Sequence, residues 1–287
     1  MEGRAYCYGA ATIINGIATG KGAAFGIGLR TDAQVKLTTE PGVHEVMIKG
    51  EEDENPELAK HCVLEVLNKL GLANEYGAKI YTESDIPISR GLKSSSAAAN
   101  AVVLATLDTL GETLDDLEII NLGIDAALKA KVSITGAFDD ACATYFGSVV
   151  VTDNIKRKIL TQYSIDKDYA VIIHVPEQKI KKIDIDTTKL KGISEALNIA
   201  HNLALKKNYL EALRINGLTY GTAMGLSNEI ANKALDAGAV TAGITGTGPA
   251  TVILVEPDRK DEIISALGSK ENLICTTINK KRAGLIK

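Results

Sequence analysis

Tryptophan is missing from this chain of 287 residues, and phenylalanine occurs only 3 times. Base-stacking surfaces for single-stranded nucleic acid would therefore rest on scattered tyrosines. Positive charge is not in excess either: the net charge is −4 at pH 7, whereas binding to nucleic acid or an anionic membrane shows as a basic stripe. Neither partner is expected. The 4 cysteines, Cys7, Cys62, Cys142 and Cys275, lie far apart without a Cys-x-x-Cys pair, so their spacing suggests neither a zinc cluster nor a disulfide framework. His44, His61, His174 and His201 show no metal-ligand spacing. No stretch reaches the length of a membrane span, and Met1-Glu2-Gly3-Arg4 opens a segment without the apolar core of a secretion signal. Repeats and low-complexity tracts are absent. The expectation is a soluble, cytoplasmic protein whose local positive charge marks a small anionic ligand.

What the chain does have is a hydrophobic content of 45%, enough for a sizeable core in one large domain or two modest ones. Two lobes are expected, 1–155 and 156–287, divided near Asp153-Asn154 and the charged run Lys156-Arg157-Lys158, although 158–164 can still pair with the first lobe. In the first lobe, β-rich runs stand at 5–14, 23–29, 33–38, 43–49, 78–82 and 148–152. Helical spacing of Leu58, Cys62, Val63, Val66, Leu67 and Leu70 predicts a helix over 57–70, stopped by Gly71. Residues 94–110 are almost continuously small or apolar, which predicts a helix buried on most sides; 114–131 and a short turn at 139–144 follow. The second lobe reads as strand 169–175, a polar segment 176–188, helices 193–206, 209–220 and 229–236, a glycine-rich segment 242–249, strand 250–255, helix 259–267 and strand 273–278. That order suggests a layered α+β lobe.

Chemistry concentrates in three segments. The first, Gly91-Leu92-Lys93-Ser94-Ser95-Ser96-Ala97-Ala98-Ala99, runs a flexible turn and three hydroxyls into the start of a helix. Helix N-termini leave N–H groups unpaired and carry partial positive charge, so this is a natural phosphate site. The simpler alternative is that Ser94 merely caps the helix and Gly91 merely turns the chain. The second, Gly243-Ile244-Thr245-Gly246-Thr247-Gly248-Pro249-Ala250, stands before a strand. A dinucleotide-binding turn needs the reverse order, strand then glycines then helix. The third, Thr135-Gly136-Ala137-Phe138-Asp139-Asp140-Ala141, sets two adjacent acids among small residues. A buried carboxylate needs a cation, a metal or backbone donors. One reading gives Asp139 to an acceptor hydroxyl with Asp140 in support; the other makes both acids ordinary helix-start caps. Gly16-Ile17-Ala18-Thr19-Gly20-Lys21-Gly22 is not a P-loop, since its spacing is wrong and no Ser or Thr follows Lys21. It remains a flexible turn carrying one cation.

In this order and spacing the segments resemble the GHMP kinase superfamily, whose central motif is a proline followed a few residues later by Gly-Leu-Gly-Ser-Ser-Ala. Here it stands as Pro87 to Ala98, the third family motif corresponds to 243–250 and the acid segment to 135–141. Two departures narrow the resemblance: Lys93 replaces the motif's second glycine, and the first motif's lysine is missing near 10–15, where Thr19-Gly20-Lys21-Gly22 follows instead. With Thr-Gly-Ala-Phe-Asp-Asp-Ala and Gly-Thr-Gly-Pro-Ala, these variants are similar to the archaeal-type shikimate kinases, a branch unrelated to the P-loop shikimate kinases.

The resemblance implies an α+β, two-lobed GHMP kinase fold with a first lobe like domain 2 of ribosomal protein S5 and a ferredoxin-like second lobe. It implies ATP-dependent phosphorylation of the shikimate 3-hydroxyl in the chorismate pathway of aromatic amino-acid biosynthesis. ATP and shikimate would be the small-molecule partners, and a homodimer is compatible with it. By analogy Pro87, Ser89, Arg90, Gly91, Leu92, Lys93, Ser94, Ser95, Ser96 and Ala97, with Gly246 and Gly248, would bind the nucleotide. Mg2+ would bridge the phosphates, held by Ser95 and by Asp125, with Glu118 as the next acid in line. Asp139 would accept or orient the hydroxyl proton, and Lys21 joins it in the catalytic set. The helix end, the serines and Lys93 could supply the positioning and charge that phosphoryl transfer demands. Shikimate's carboxylate calls for a cation such as Arg90, Arg282 or Lys21. Homoserine kinase and mevalonate kinase share the scaffold, and a non-catalytic ligand sensor or an S5-like nucleic-acid binder are the rivals from other classes.

Overall fold

The computed structural model describes residues 2–51, 54–177, 187–268 and 270–287. Two long strands, β1 (Glu2–Ile14) and β2 (Lys21–Thr38), pair antiparallel and organise a seven-stranded sheet. The free side of β2 is shared. Its first residues, Lys21 to Phe25, pair with β5 (Val149–Asp153), and Thr31 to Thr38 pair with β4 (Gly77–Ser84). Beyond β4 lies β3 (His44–Ile48), parallel to it; beyond β5 lies β6 (Lys158–Tyr163); and β11 (Gly284–Leu285) closes the far side of β1. The polar Arg30-Thr31-Asp32, read from sequence as a break between two strands, is paired within one continuous strand. A register shift at Tyr8/Gly9 bends the pair there, as a bulge does, and Thr31 Oγ1 meets Ser84 Oγ at 2.7 Å across the sheet.

Helix α2 (Ser94–Leu110) packs against β1 and β2, with α1 (Glu57–Lys69), α3 (Asp116–Lys129) and α4 (Phe138–Phe146) around it. Its residues are small or apolar on nearly every side, and Ala97, Ala101, Val102, Val103, Ala105 and Leu107 are all buried. Burying side chains such as Val103 and Leu107 stabilises by roughly 1.5–3 kcal/mol each. The consequence for function is a helix whose first turn cannot drift.

The second sheet holds β7 (Ala170–His174), β8 (Thr241–Ile244), β9 (Thr251–Val255) and β10 (Leu273–Thr277) in the order β10-β7-β9-β8, every pair antiparallel. Between β7 and β8 run α5 (Ser194–Leu205), α6 (Tyr209–Met224) and α7 (Glu229–Asp236), and α8 (Lys260–Leu267) links β9 to β10. This is a ferredoxin-like lobe.

Residues 158–163 pair with the first lobe, as the sequence allowed, since β6 lies against β5; the chain also returns to that sheet through an Ile27–Ile278 bridge and β11. Two expectations are corrected. The start of the 242–249 segment is strand rather than loop: glycine at 243 lets β8 lie against α6, where a β-carbon would stand 2.8 Å from the Gly217 Cα. Helix α6 runs on to Met224, past the expected end at 220. Of the polar segment 176–188, residues 178–186 lie outside the described residues.

Candidate active site

The chain enters α2 through a loop in which Ser89, Gly91 and Lys93 all have positive φ, at 57°, 87° and 67°. This left-handed geometry turns the backbone sharply into the helix. Lys93, not Ser94, occupies the N-cap position, and no side chain among the described residues caps the helix. The first N–H groups of α2 are therefore left for something other than a serine cap.

Two other segments lock onto this loop. Thr12 N donates to Thr245 Oγ1 at 2.9 Å, Gly246 N donates to Thr12 Oγ1 at 2.9 Å, and Thr245 Oγ1 donates in turn to Gly91 O at 3.1 Å. Asn15 Nδ2 donates to Gly246 O at 2.8 Å, and Ala250 N to Arg90 O at 3.2 Å. The approach is close enough that a β-carbon at Gly91 would lie 2.2 Å from Thr245 O. The glycines of both loops thus serve backbone-to-backbone contact.

The acids stand in the first turn of α4. Asp139 N donates to Asn154 Oδ1 at 3.1 Å, Asn154 Nδ2 donates to Asp139 Oδ1 at 2.7 Å, and Thr152 Oγ1 fixes the asparagine through a 2.7 Å bond to Oδ1. Asp140 pairs with Lys93, Oδ1 to Nζ at 2.9 Å, and their side chains are only 7% and 3% exposed. The alternative in which both acids cap the helix does not describe them: one faces Asn154 and the other a lysine. Burial above all, and then the negative charge of Asp140, push the Asp139 carboxyl up to about 7, against the pull of Lys93 and the Asn154 hydrogen bond.

Between these groups opens a cleft of about 440 Å³, within the range of small-molecule sites. Ser89, Gly91, Lys93, Ser94, Ser95, Gly246 and Asp139 line it. The rest of the expected set lies elsewhere. Leu92 and Ala97 are buried in the core, and Pro87, Ser96 and Gly248 do not border the cleft. Arg90 turns away, its Nη2 donating to Glu177 O at 2.5 Å, while Nη1 is buried without a hydrogen-bond partner. Lys21 is exposed and its Nζ donates to Asn198 Oδ1 on α5 at 3.2 Å. Arg282 is spent on Asp116 and lies over the Tyr145 ring, 5.0 Å from its centre.

The acids expected at the metal are engaged in ion pairs outside the cleft. Asp125 pairs with Arg157 at 2.7 Å and Glu118 with Lys69 at 2.8 Å, and neither lines the cleft. Glu118 is besides committed to the capping box of α3 with Asp115. No group of three or more His, Cys, Asp or Glu suited to a metal ion occurs among the described residues.

Sequence reasoning missed the far end of the cleft, formed by Thr31, Ile48, Glu54, Asn55, Leu58 and Ser84, and the 130–137 wall with Lys131 and Ser133. It read Asn154 only as part of a domain boundary. The signal available was a polar pair, Thr152 and Asn154, at the end of an apolar strand.

The GHMP kinases N terminal domain matches residues 57–148, which carry α2 and Asp139, and the GHMP kinases C terminal domain matches 190–272, which carry the Gly246 loop. The chain belongs to the GHMP kinase family. It is 44% identical over 270 residues to a protein from Methanothrix thermoacetophila named shikimate kinase, covering 94% of this chain and 91% of that one. A protein of the same name from Methanosarcina mazei is 43% identical over 286 residues, covering 99% and 96%. Among solved structures, homoserine kinase from Cytophaga hutchinsonii superposes with a TM-score of 0.77 at 17% identity, covering 99% and 97%; at that identity the likeness speaks for the fold alone. In this GHMP kinase both family domains meet at the cleft, since the α2 loop and Asp139 come from one and Gly246 from the other.

Proposed function

We propose that this GHMP kinase transfers the terminal phosphoryl group of ATP to the 3-hydroxyl of shikimate. One observation carries the reading: Asp139 and the uncapped start of α2 open onto one cleft, in a chain about two-fifths identical over nearly its whole length to proteins named shikimate kinase. The backbone N–H groups of α2, with Ser94 and Ser95, are placed to bind the triphosphate. Asp139 accepts the hydroxyl proton. A base near neutrality balances ionisation against proton affinity at working pH.

The donor set suits a hard cation carried in by the phosphates. Ser94 and Ser95 present hydroxyl oxygens beside the helix end, and magnesium is commonly held by phosphates and water with few protein ligands. Ser95 is the residue proposed to hold it, and the ion would offset phosphate charge. For the acceptor's carboxylate, Arg282 is paired with Asp116, and neither Arg90 nor Lys21 borders the cleft, so none of the three expected cations is assigned to it.

A coupled assay of ADP release with shikimate, homoserine and mevalonate side by side tests the reading. Turnover on shikimate exceeding the other two by at least about 100-fold in kcat/KM is expected, since a site that hydrogen-bonds its acceptor's hydroxyls rejects the wrong hydroxyl pattern. Equal or better use of homoserine or mevalonate overturns it.

A further inference from the structure

Lys93 is the only lysine or arginine among the described residues that is buried. It bears two costs at once. Its φ of 67° puts a β-carbon in the left-handed region, which costs roughly 1–2 kcal/mol, and its ammonium is withdrawn from water. A glycine at this position would avoid both. Strained, desolvated residues of this kind persist where the site uses them.

The location of the ammonium says what the use is. Nζ lies 2.9 Å from Asp140 Oδ1, and a β-carbon built on Gly246 would come within 2.9 Å of it. It therefore sits at the junction of the α2 loop, the Gly246 loop and the start of α4, with Asp139 adjacent in sequence to its partner acid. The charged side chains lining the cleft are Glu54, Lys93, Lys131, Asp139 and Asp140, and of the two cations Lys131 is exposed. Lys93 alone stands between the helix end and the acids. A phosphoryl group in transit carries charge on its equatorial oxygens, and the protein's main contribution is a preorganised cation at that point.

Building on the proposed function, we infer that Lys93 is the catalytic cation that contacts the phosphoryl group in transit, and that Asp140 is the positioning residue that holds its ammonium there. In the step, the bond from the terminal phosphorus to the bridging oxygen breaks and the electron pair leaves with ADP. A bond from phosphorus to the alcohol oxygen forms, and the alcohol proton passes to Asp139. Lys93 remains an ammonium throughout and supplies no proton. One carboxylate oxygen satisfies only part of its three N–H donors, which leaves capacity for phosphoryl oxygens.

The test uses the full chain with Lys93→Met, Asp140→Asn and the double variant Lys93→Met/Asp140→Asn, which removes both buried charges and leaves no unpaired ion. Turnover is read with shikimate, and calorimetry compares the affinity for ADP with that for ADP plus aluminium fluoride, a mimic of the group in transit, with and without shikimate. Lys93→Met and the double variant are expected to lose about 100-fold or more in kcat and a similar factor in affinity for the fluoride complex, with ADP affinity held within about 3-fold. Asp140→Asn is expected to lower kcat by about 10-fold with KM for ATP little changed. The inference is overturned if the double variant turns over within about 3-fold of the unaltered protein, or if ADP affinity falls as far as affinity for the fluoride complex, which is what a merely structural lysine would give. Should Lys93→Met fail to fold, the double variant carries the comparison. If the unaltered protein ignores shikimate while its fluoride complex still depends on Lys93, the substrate reading fails and this one stands.

Discussion

Asp139 and Asn154 are joined by two hydrogen bonds of opposite direction, the aspartate's N–H donating to the amide oxygen at 3.1 Å and the amide NH2 donating to Oδ1 at 2.7 Å. The pair fixes the carboxyl at both its backbone and its side chain, and leaves Oδ2 facing Gly22. A base held this way does not need the substrate to orient it.

Replacing that base is the most direct probe. Asp139→Asn keeps the size of the side chain and can still accept from Asn154, so the site should stay assembled. Loss of the proton acceptor is expected to cut kcat by about 10²–10⁴, with ATP affinity changed by less than about 3-fold. Steady-state rates together with calorimetric ATP binding check it, and an unchanged kcat removes Asp139 from its assigned role.

The raised carboxyl gives a pH signature in both rate and stability. Below about 7 Asp139 is increasingly protonated and cannot take the hydroxyl proton, so kcat/KM should fall tenfold per pH unit on the acid side. For stability the sign is opposite to that of a salt-bridged acid. The folded protein holds this proton more tightly than the unfolded chain does. The favourable contribution is therefore full below the usual aspartate range near 3.9, and is lost as pH rises through about 7. Asp139→Asn should accordingly melt higher than the unaltered protein at pH 8, and the gap should close toward pH 5. Thermal scans across that range decide; a gap that widens on acidification contradicts the assignment.

Much of this site was legible because its chemistry is local in sequence. Gly91 to Ala97 announces a loop entering a buried helix, and the run of alanines in α2 announces the burial. The two acids were readable as needing partners, but which partners was not, since Asn154 and Lys93 reach them through tertiary contacts from two other segments. The same limit explains the metal acids. Asp125 and Glu118 lie on a helix that resembles the right one, yet each is neutralised by a lysine or arginine from a distant segment, Arg157 or Lys69. The return of 284–285 to pair with β1 was not legible either, because so short a strand carries no pattern of its own.

Those neutralised acids separate two variants. Asp125→Ala removes a half-exposed ion pair worth at most about 1 kcal/mol, so kcat and the Mg2+ concentration for half-maximal rate should both be unchanged. Ser95→Ala removes a hydroxyl that borders the cleft, and is expected to raise that Mg2+ concentration by about 10-fold. A magnesium titration of both variants reads the contrast, and a shift in Asp125→Ala alone would return the metal to α3.

Gly22 offers a test of how tightly the base is held. It lies in β2 with ordinary strand geometry, so alanine costs nothing in backbone conformation, yet its β-carbon would stand 2.3 Å from Asp139 Oδ2. The carboxyl must then swing off Asn154 or β2 must yield. Overpacking of this kind typically costs about 1–3 kcal/mol. Displacing a catalytic group by even an ångström can cost about 100-fold in rate. Gly22→Ala should therefore lose both Tm and kcat. Pairing it with Asp139→Gly removes the collision and should restore Tm while leaving the enzyme without its base. If the double variant melts as low as Gly22→Ala, the strain lies in the strand itself and the close approach of Gly22 to Asp139 is not what the glycine protects.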